Sequence, residues 1–223
     1  MKPIADEIKP ALELVPDTSS MSAEEQEAHF ERAKANMDRY NATVREGELR
    51  AKRQRYLDAG FPVRALEAAL RADTQRPVIE RVAAWVPSER GILVLGGPVG
   101  CGKSVAGTWW ALRAPVVPLF LRASTFAATS RYDAKHRATV FAAPALVLDD
   151  LGAEYLDDKG SFLVDLDELF DTYYSNRRPL LITTNLDRRQ FGQRYGARVC
   201  DRLRESGAFW ETKSGSLRGS VAP

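Results

Sequence analysis

The sequence predicts an α/β fold, a parallel β-sheet covered by helices on both faces. Three observations carry that prediction. From residue 59 onward, short apolar runs alternate with longer helical patterns. The runs "ILVL", "ALVL" and "LLI" are apolar at every position rather than at alternate ones, as strands buried on both sides require. The first of them passes directly into a glycine-rich stretch, "GGPVGCGKS", Gly96 to Ser104.

Taken in order, residues 1–21 read as a flexible leader, broken by Pro3, Pro10 and Pro16. Residues 22–58 read as a helical segment. In "SAEE" Glu25 stands three residues after Ser22, so hydroxyl and carboxylate can cap each other's free backbone N–H groups. Phe30, Ala33, Met37, Tyr40 and Val44 then fall on one stripe, suited either to the chain's own domain or to another protein. Gly47 is expected to interrupt the helix, with a second piece running to Ala59 and stopped by "GFP". Beyond it, "PVRALEAALRA" and "RPVIERVAAWV" read as helices and Ile92 to Leu95 as the first strand. A helix over Ser104 to Leu112, a strand over Val116 to Leu121 and a helix from Ala123 to about Thr139 follow. Ala145 to Leu148 is the third strand, Phe162 to Ser175 a helix and Leu180 to Thr184 the fourth strand. "QFGQRYGARVCDRLRE" reads as a helix and Ala208 to Thr212 as a fifth strand.

Bulk properties narrow the class. The 223 residues suffice for one α/β domain and an appendage, and 44% hydrophobic with 28% charged is an ordinary globular mix. No apolar stretch approaches a bilayer span, so no membrane association is expected. The acidic, proline-broken start resembles neither a signal nor a transit peptide, so a cytoplasmic location is expected. Cys101, Cys200, His29 and His136 are too few and too scattered for a disulfide framework or a Cys/His metal cage. A net charge of +2 does not announce a nucleic-acid binder. The cluster "RAKRQR", Arg50 to Arg55, suits either a solvated helix face or contact with a phosphate backbone.

The motifs carry the chemistry. Gly97 to Ser104 fits G-x-x-x-x-G-K-[ST]. Glycines let the backbone fold around phosphates with its N–H groups aimed inward, and the following helix offers its positive end to the anion. Gly97, Gly100, Cys101, Gly102, Lys103, Ser104 and Val105 form the expected nucleotide-binding set. Lys103 would reach the β- and γ-phosphates and the Ser104 hydroxyl would ligate Mg²⁺. "ALVLDDLG" supplies the carboxylates: Asp149 for Mg²⁺, and Asp150 to orient or deprotonate the attacking water, with Glu154 a spare acid nearby. "LLITTN" ends in Asn185, an uncharged side chain suited to touching both the γ-phosphate and that water. Arg198, Arg202 and Arg204 in "RVCDRLRE" are each candidates to neutralise charge across a subunit interface.

Together, "GGPVGCGKS", "LVLDDLGAE", "LLITTNL", "YGARVCDRLRE" and "SGSLRG" resemble the AAA+ ATPases, specifically the DnaC/DnaI-like helicase loaders and the related IstB-like transposition helpers. "RYLDAGFPVRAL" resembles the entry to that ATPase domain, so the resemblance covers about Tyr56 to Gly219. It implies a P-loop NTPase (AAA+/RecA-like) domain over residues 59–223 that takes ATP and Mg²⁺. It makes Lys103 and Ser104 the Walker A pair, Asp149 and Asp150 the Walker B pair and Asn185 the sensor-1 residue. Arg202 becomes the arginine finger acting in trans, with Arg198 second, and Arg218 matches a terminal Ser-x-Arg feature. It also makes residues 22–58 the partner-binding segment, since in the family the N-terminal part grips the replicative helicase. Two departures stand out. No cysteine-rich zinc module precedes the core, and about twenty residues follow Arg202, so no C-terminal helical lid is expected. Hydrolysis is therefore expected to be weak alone and to depend on neighbours.

The function this implies is an ATP-dependent loader. Its ATP-bound protomers self-associate, hold a DnaB-like ring helicase and assist its loading onto single-stranded DNA in DNA replication. The alternative is an IstB-like ATPase assisting a transposase. A small-molecule kinase fits less well, because of the "TTN" strand and the arginine box. An adaptor that binds ATP without hydrolysing it is kept open by Asp150, where many ATPases have glutamate.

Overall fold

The computed structural model describes residues 22–72, 74–85, 91–130, 132–154 and 160–212. The expected leader over 1–21 and the "SGSLRG" stretch with Arg218 lie outside them. The chain divides into two units, 1–52 and 53–223.

Helix α1 spans Ala23–Asp58, 36 residues without interruption. Its N-terminus is capped as the sequence suggests: the Ser22 N–H donates to Glu25 Oε2 at 2.8 Å, and the Glu25 N–H donates to Ser22 Oγ at 3.3 Å. The expected break at Gly47 is absent, and the two-piece reading is corrected to a single helix. Glycine costs a helix about 1 kcal/mol relative to alanine. Here that cost is carried by neighbouring i,i+4 contacts, Arg50 to Glu46 at 2.6 Å and Gln54 to Asp58 at 2.8 Å. Phe30, Met37, Tyr40 and Val44 are all exposed.

The second unit begins with the last turns of α1, where Tyr56 is buried and donates its hydroxyl to the Ala111 carbonyl at 3.0 Å. Helices α2 (Val63–Leu70) and α3 (Pro77–Ala83) follow, then β1 (Ile92–Gly96) and α4 (Lys103–Ala111). The chain continues through β2 (Leu119–Arg122), α5 (Ala123–Thr129), α6 (Ala134–Ala142) and β3 (Leu146–Leu151). It ends with α7 (Ser161–Ser175), β4 (Leu180–Thr184), α8 (Arg188–Ser206) and β5 (Gly207–Glu211).

The five strands form one parallel sheet in the order β2-β3-β4-β1-β5. Alternation along each strand feeds two cores. Ile92 and Val94 join the cluster of Phe126, Leu166, Leu169 and Phe170 on one face. Leu93 and Leu95 join Tyr56, Leu66, Ile79 and Trp110 on the other. The interior strand β1, paired on both sides by β4 and β5, is therefore buried at all five residues.

Differences from the sequence expectation have local causes. Strand β2 starts at Leu119 rather than Val116, because Pro118 lacks an N–H; the ladder opens with the Leu119 N–H donating to the Ala145 carbonyl at 2.9 Å. The single helix expected after Ala123 is two, because Asp133 turns its carboxylate back to accept from the His136 N–H at 2.8 Å and so starts a new one. Helix α8 carries a kink at Gly196, whose φ of 84° and ψ of 179° are not helical.

An added methyl group at Gly47 meets nothing within 4 Å. Gly47→Ala should therefore stabilise α1 locally by about 1 kcal/mol, slowing amide exchange across the surrounding turns. Faster exchange would show that the position is needed as a hinge.

Candidate functional site

Parallel pairing brings the C-terminal ends of β1, β3 and β4 side by side, at the edge of the sheet where α/β folds hold their ligands. Gly96 lies opposite Thr184 in the β1–β4 register. From there the chain enters the loop in a conformation only glycine adopts easily. Gly97 has a φ of 143°, and a Cβ on it would stand 2.5 Å from Thr212 Cγ2 and 2.7 Å from the Thr212 carbonyl oxygen. The Thr212 N–H donates to the Gly96 carbonyl at 2.9 Å, so the close approach of β5 to the loop depends on this glycine. Gly102, with a φ of 95°, turns the backbone into α4.

Lys103 stands at the start of α4 and is only 5% exposed. Its ammonium donates to the Gly97 carbonyl at 2.7 Å, the Pro98 carbonyl at 2.8 Å and Asn185 Oδ1 at 3.0 Å. The glycine loop, the lysine and the polar end of β4 thus meet at one point. Cys101 is buried within the loop, its sulfur 3.8 Å from the same ammonium.

Asp149 is also 5% exposed. It accepts a hydrogen bond from Thr183 Oγ1 at 2.7 Å and another from the Ser104 side chain. Burial pushes its carboxyl above the ordinary aspartate range, outweighing these two hydrogen bonds; the Asp150 charge adds to the rise and the Arg122 charge opposes it. Among the described residues no cation forms an ion pair with it. Asp150 is different. It is exposed, sits at a register irregularity between Leu148 and Leu151, and has a φ of 57°. Its N–H donates to Thr183 Oγ1 at 2.9 Å, while its carboxylate has no hydrogen-bond partner among the described residues. A left-handed aspartate carries modest strain, and here it turns the carboxylate of β3 out of the ladder.

Glu154, the spare acid, is not spare. Its side chain is fully buried. Glu154 Oε2 accepts from the Gly152 N–H at 2.6 Å. Its Oε1 accepts from Arg194 Nε at 3.0 Å, Arg194 Nη2 at 2.9 Å and the Tyr195 hydroxyl at 2.8 Å. Burial first, then the charge and hydrogen bond of Glu154, raise the Tyr195 hydroxyl far above the ordinary tyrosine range, while Arg194 opposes the rise.

Of the arginines, Arg202 is largely covered and donates from Nε to Asp171 Oδ1 at 2.9 Å, with Nη2 on the same oxygen and Nη1 3.7 Å from Asp167 Oδ1. Arg198 is mostly exposed and reaches Asp167 Oδ2 at 3.0 Å. Arg204 pairs with Asp201 on the surface. The structure therefore gathers Lys103, Ser104, Asp149, Asp150 and Asn185 into one site, and holds Arg198 and Arg202 on α8 against α7, with Arg204 on the surface of α8.

Four participants escape sequence reasoning. Thr183 bridges Asp149 and the Asp150 backbone, and Arg122 lies opposite Asp149 in the β2–β3 register. Arg194 with Tyr195 claims Glu154. Only the first left a sequence signal: two threonines in succession, both wholly buried, at the end of an apolar strand.

This architecture defines the α/β P-loop NTPase fold. No family model matches the sequence, and no curated protein matches it either. Solved structures do. DnaI superposes with a TM-score of 0.54 at 22% identity, over 67% of this chain and 93% of that one. The DnaC helicase loader gives 0.50 at 23%, over 61% and 86%. The replication initiator DnaA bound to AMPPCP and single-stranded DNA gives 0.50 at 19%, over 62% of this chain and 45% of that one. The chain thus shares its fold with these proteins, and the resemblance carried by its motifs holds at the level of fold.

The raised carboxyl of Asp149 has a measurable consequence. An acid whose folded-state pKa lies above its unfolded value binds protons more tightly when folded, so stability falls as pH rises through that window and the loss is complete above it. Asp149→Asn keeps an oxygen for Thr183 and removes the charge. Without nucleotide it should melt above the wild type at neutral pH and match it in acid below the window. A lower melting temperature at neutral pH would mean that the carboxylate is compensated rather than strained.

Proposed function

We propose that the 53–223 unit binds ATP with Mg²⁺ at the end of β1 and hydrolyses it. We propose further that the whole chain uses this cycle to hold a DnaB-like ring helicase for loading onto single-stranded DNA. One observation supports the site above all others: a buried lysine ammonium is held by the carbonyls of a glycine loop and by Asn185, beside a buried carboxylate that has only hydroxyl donors. Carbonyl oxygens around an ammonium are readily exchanged for phosphate oxygens. A carboxylate out of water that forms no ion pair among the described residues suits a divalent ion.

The residues then take distinct parts. Lys103 binds the β- and γ-phosphates, the backbone of Gly97, Gly100, Cys101 and Gly102 lines the phosphate side, and Val105 continues the first turn behind it. Ser104 and Asp149 hold Mg²⁺, which when bound neutralises phosphate charge. Asp150, whose carboxylate has no hydrogen-bond partner among the described residues, orients the attacking water and accepts its proton. Asn185 links the γ-phosphate to Lys103. Glu154 is excluded from the water-activating role because its carboxylate is already taken by Arg194, Tyr195 and the Gly152 N–H. Arg202 acts on a neighbour's nucleotide and must first leave Asp171, whereas Arg198 is the more exposed of the two.

The exposed stripe of α1 supports the docking part, since Phe30, Met37 and Tyr40 offer apolar area to a partner. The basic cluster on α1 supports contact with a DNA backbone less strongly, because Arg50 and Arg53 are each paired with a glutamate.

Lys103→Ala should abolish ATP binding in a titration, and retained affinity would contradict the site. Arg202→Ala should keep ATP binding yet lose the rise in hydrolysis rate with protein concentration, by tenfold or more. A chain starting at residue 53 keeps Tyr56 in the core and should still bind ATP while failing to capture a ring helicase in an ATP-dependent pull-down. Capture of a transposase by the full chain would move the reading to the IstB-like alternative.

A further inference from the structure

We propose that Glu154 is a positioning residue that couples the Asp149–Asp150 strand end to the arginines of α8, so that the state of a protomer's own site governs how it presents Arg198 and Arg202 to a neighbour. The inference rests on the trans-acting reading of those arginines given above.

The geometry has three parts. First, the Glu154 carboxylate ties two elements together in a place without water: one oxygen holds the Gly152 N–H, at the turn directly after Asp150 and Leu151, and the other holds Arg194 and Tyr195 on α8. Arg194 Nη2 also donates to the Glu154 carbonyl at 2.9 Å, so backbone and side chain are clamped alike. Second, the clamp grips α8 immediately before Gly196, where the helix is broken. At such a break the two halves need not move as one rod. Third, the half beyond the break carries Arg198 and Arg202, and those are held by a different element, through Asp167 and Asp171 on α7. A shift of the strand end therefore reaches the first half of α8 through Glu154, while the second half stays with α7 until its ion pairs exchange. Among the described residues neither Asp149 nor Asp150 hydrogen-bonds to α8. Thr183 and Thr184 tie the strand end to β4, which leads to the start of α8, and Glu154 is the side-chain link to the turn before Gly196.

Subunit mixing with full-length chains separates this role from a merely structural one. Glu154→Gln keeps acceptor capacity and size but loses the charge that orders Arg194. It should bind Mg·ATP within about twofold of the wild type, and its concentration-dependent hydrolysis should fall about tenfold. Mixed with Asp150→Asn chains, which keep Lys103 and their own arginines, it should recover hydrolysis, because its intact site is then served by a neighbour with a normal α8. Tyr195→Phe retains the ion pair and should show a smaller loss with the same recovery; it carries the test if the first variant does not fold. Undiminished hydrolysis in both variants, or a loss that mixing does not restore, would overturn the coupling. Full activity of Arg202→Ala and Arg198→Ala would instead sink the trans-acting reading beneath it.

Discussion

An ammonium group shut away from water must be surrounded by acceptors, and this single requirement organises the site. Lys103 is at the start of a helix that is buried from Ala106 onward, and its own side chain is buried with it. It finds its acceptors in the Gly97 and Pro98 carbonyls and in Asn185. That arrangement needs a loop able to bend back over the lysine, which the positive φ values at Gly97, Gly100 and Gly102 provide. It also needs the end of β4 beside β1, which parallel pairing in the register Gly96–Thr184 provides. Loop sequence, sheet order and site chemistry are thus consequences of one another.

What could be read in the sequence was whatever is decided locally. Strand β4 lies where the apolar run "LLITT" puts it, because a run buried on both faces has little other place to go. The glycine–lysine–serine spacing marks the loop for the same reason: backbone freedom and anion chemistry are written in adjacent residues. Choices settled by distant partners were not legible. Glu154 follows a turn and reads as a solvated acid, yet Arg194, forty positions on, takes it into the interior. Arg202 belongs to a recognisable box, but its pairing with Asp171 depends on how α7 and α8 pack. Gly47 shows the opposite error. Local propensity marks a break there, while the favourable contacts on either side keep α1 continuous.

The two units illustrate different uses of amphipathicity. In the 53–223 unit, apolar residues on each face of the sheet find helices of the same chain, and Tyr56, Phe61 and Phe120 meet ring against ring where α1 enters the core. In the 1–52 unit, Phe30, Met37, Tyr40 and Val44 keep the helical spacing of a packed face yet remain exposed. Nothing in the first unit's own helix needs that stripe; i,i+4 pairs and the capping box at Ser22 already account for the helix. An apolar face that is not required by its own fold is best explained by what it meets.

Two buried carboxylates near the end of β3 show how environment divides labour. Glu154 has its charge answered by Arg194, and its oxygens are filled by donors of fixed geometry. Such a group has little capacity left for a ligand and acts as a strut. Among the described residues Asp149 accepts from hydroxyls and has no ion pair, and these bonds with the Arg122 charge do not outweigh burial, which raises its pKa. The protein bears a cost at Asp149 that it avoids at Glu154, a few residues away. The ionised form of a carboxylate left in such a deficit would be favoured by a nearby positive charge. This contrast, more than the motif itself, supports the proposed metal role for Asp149 and denies one to Glu154.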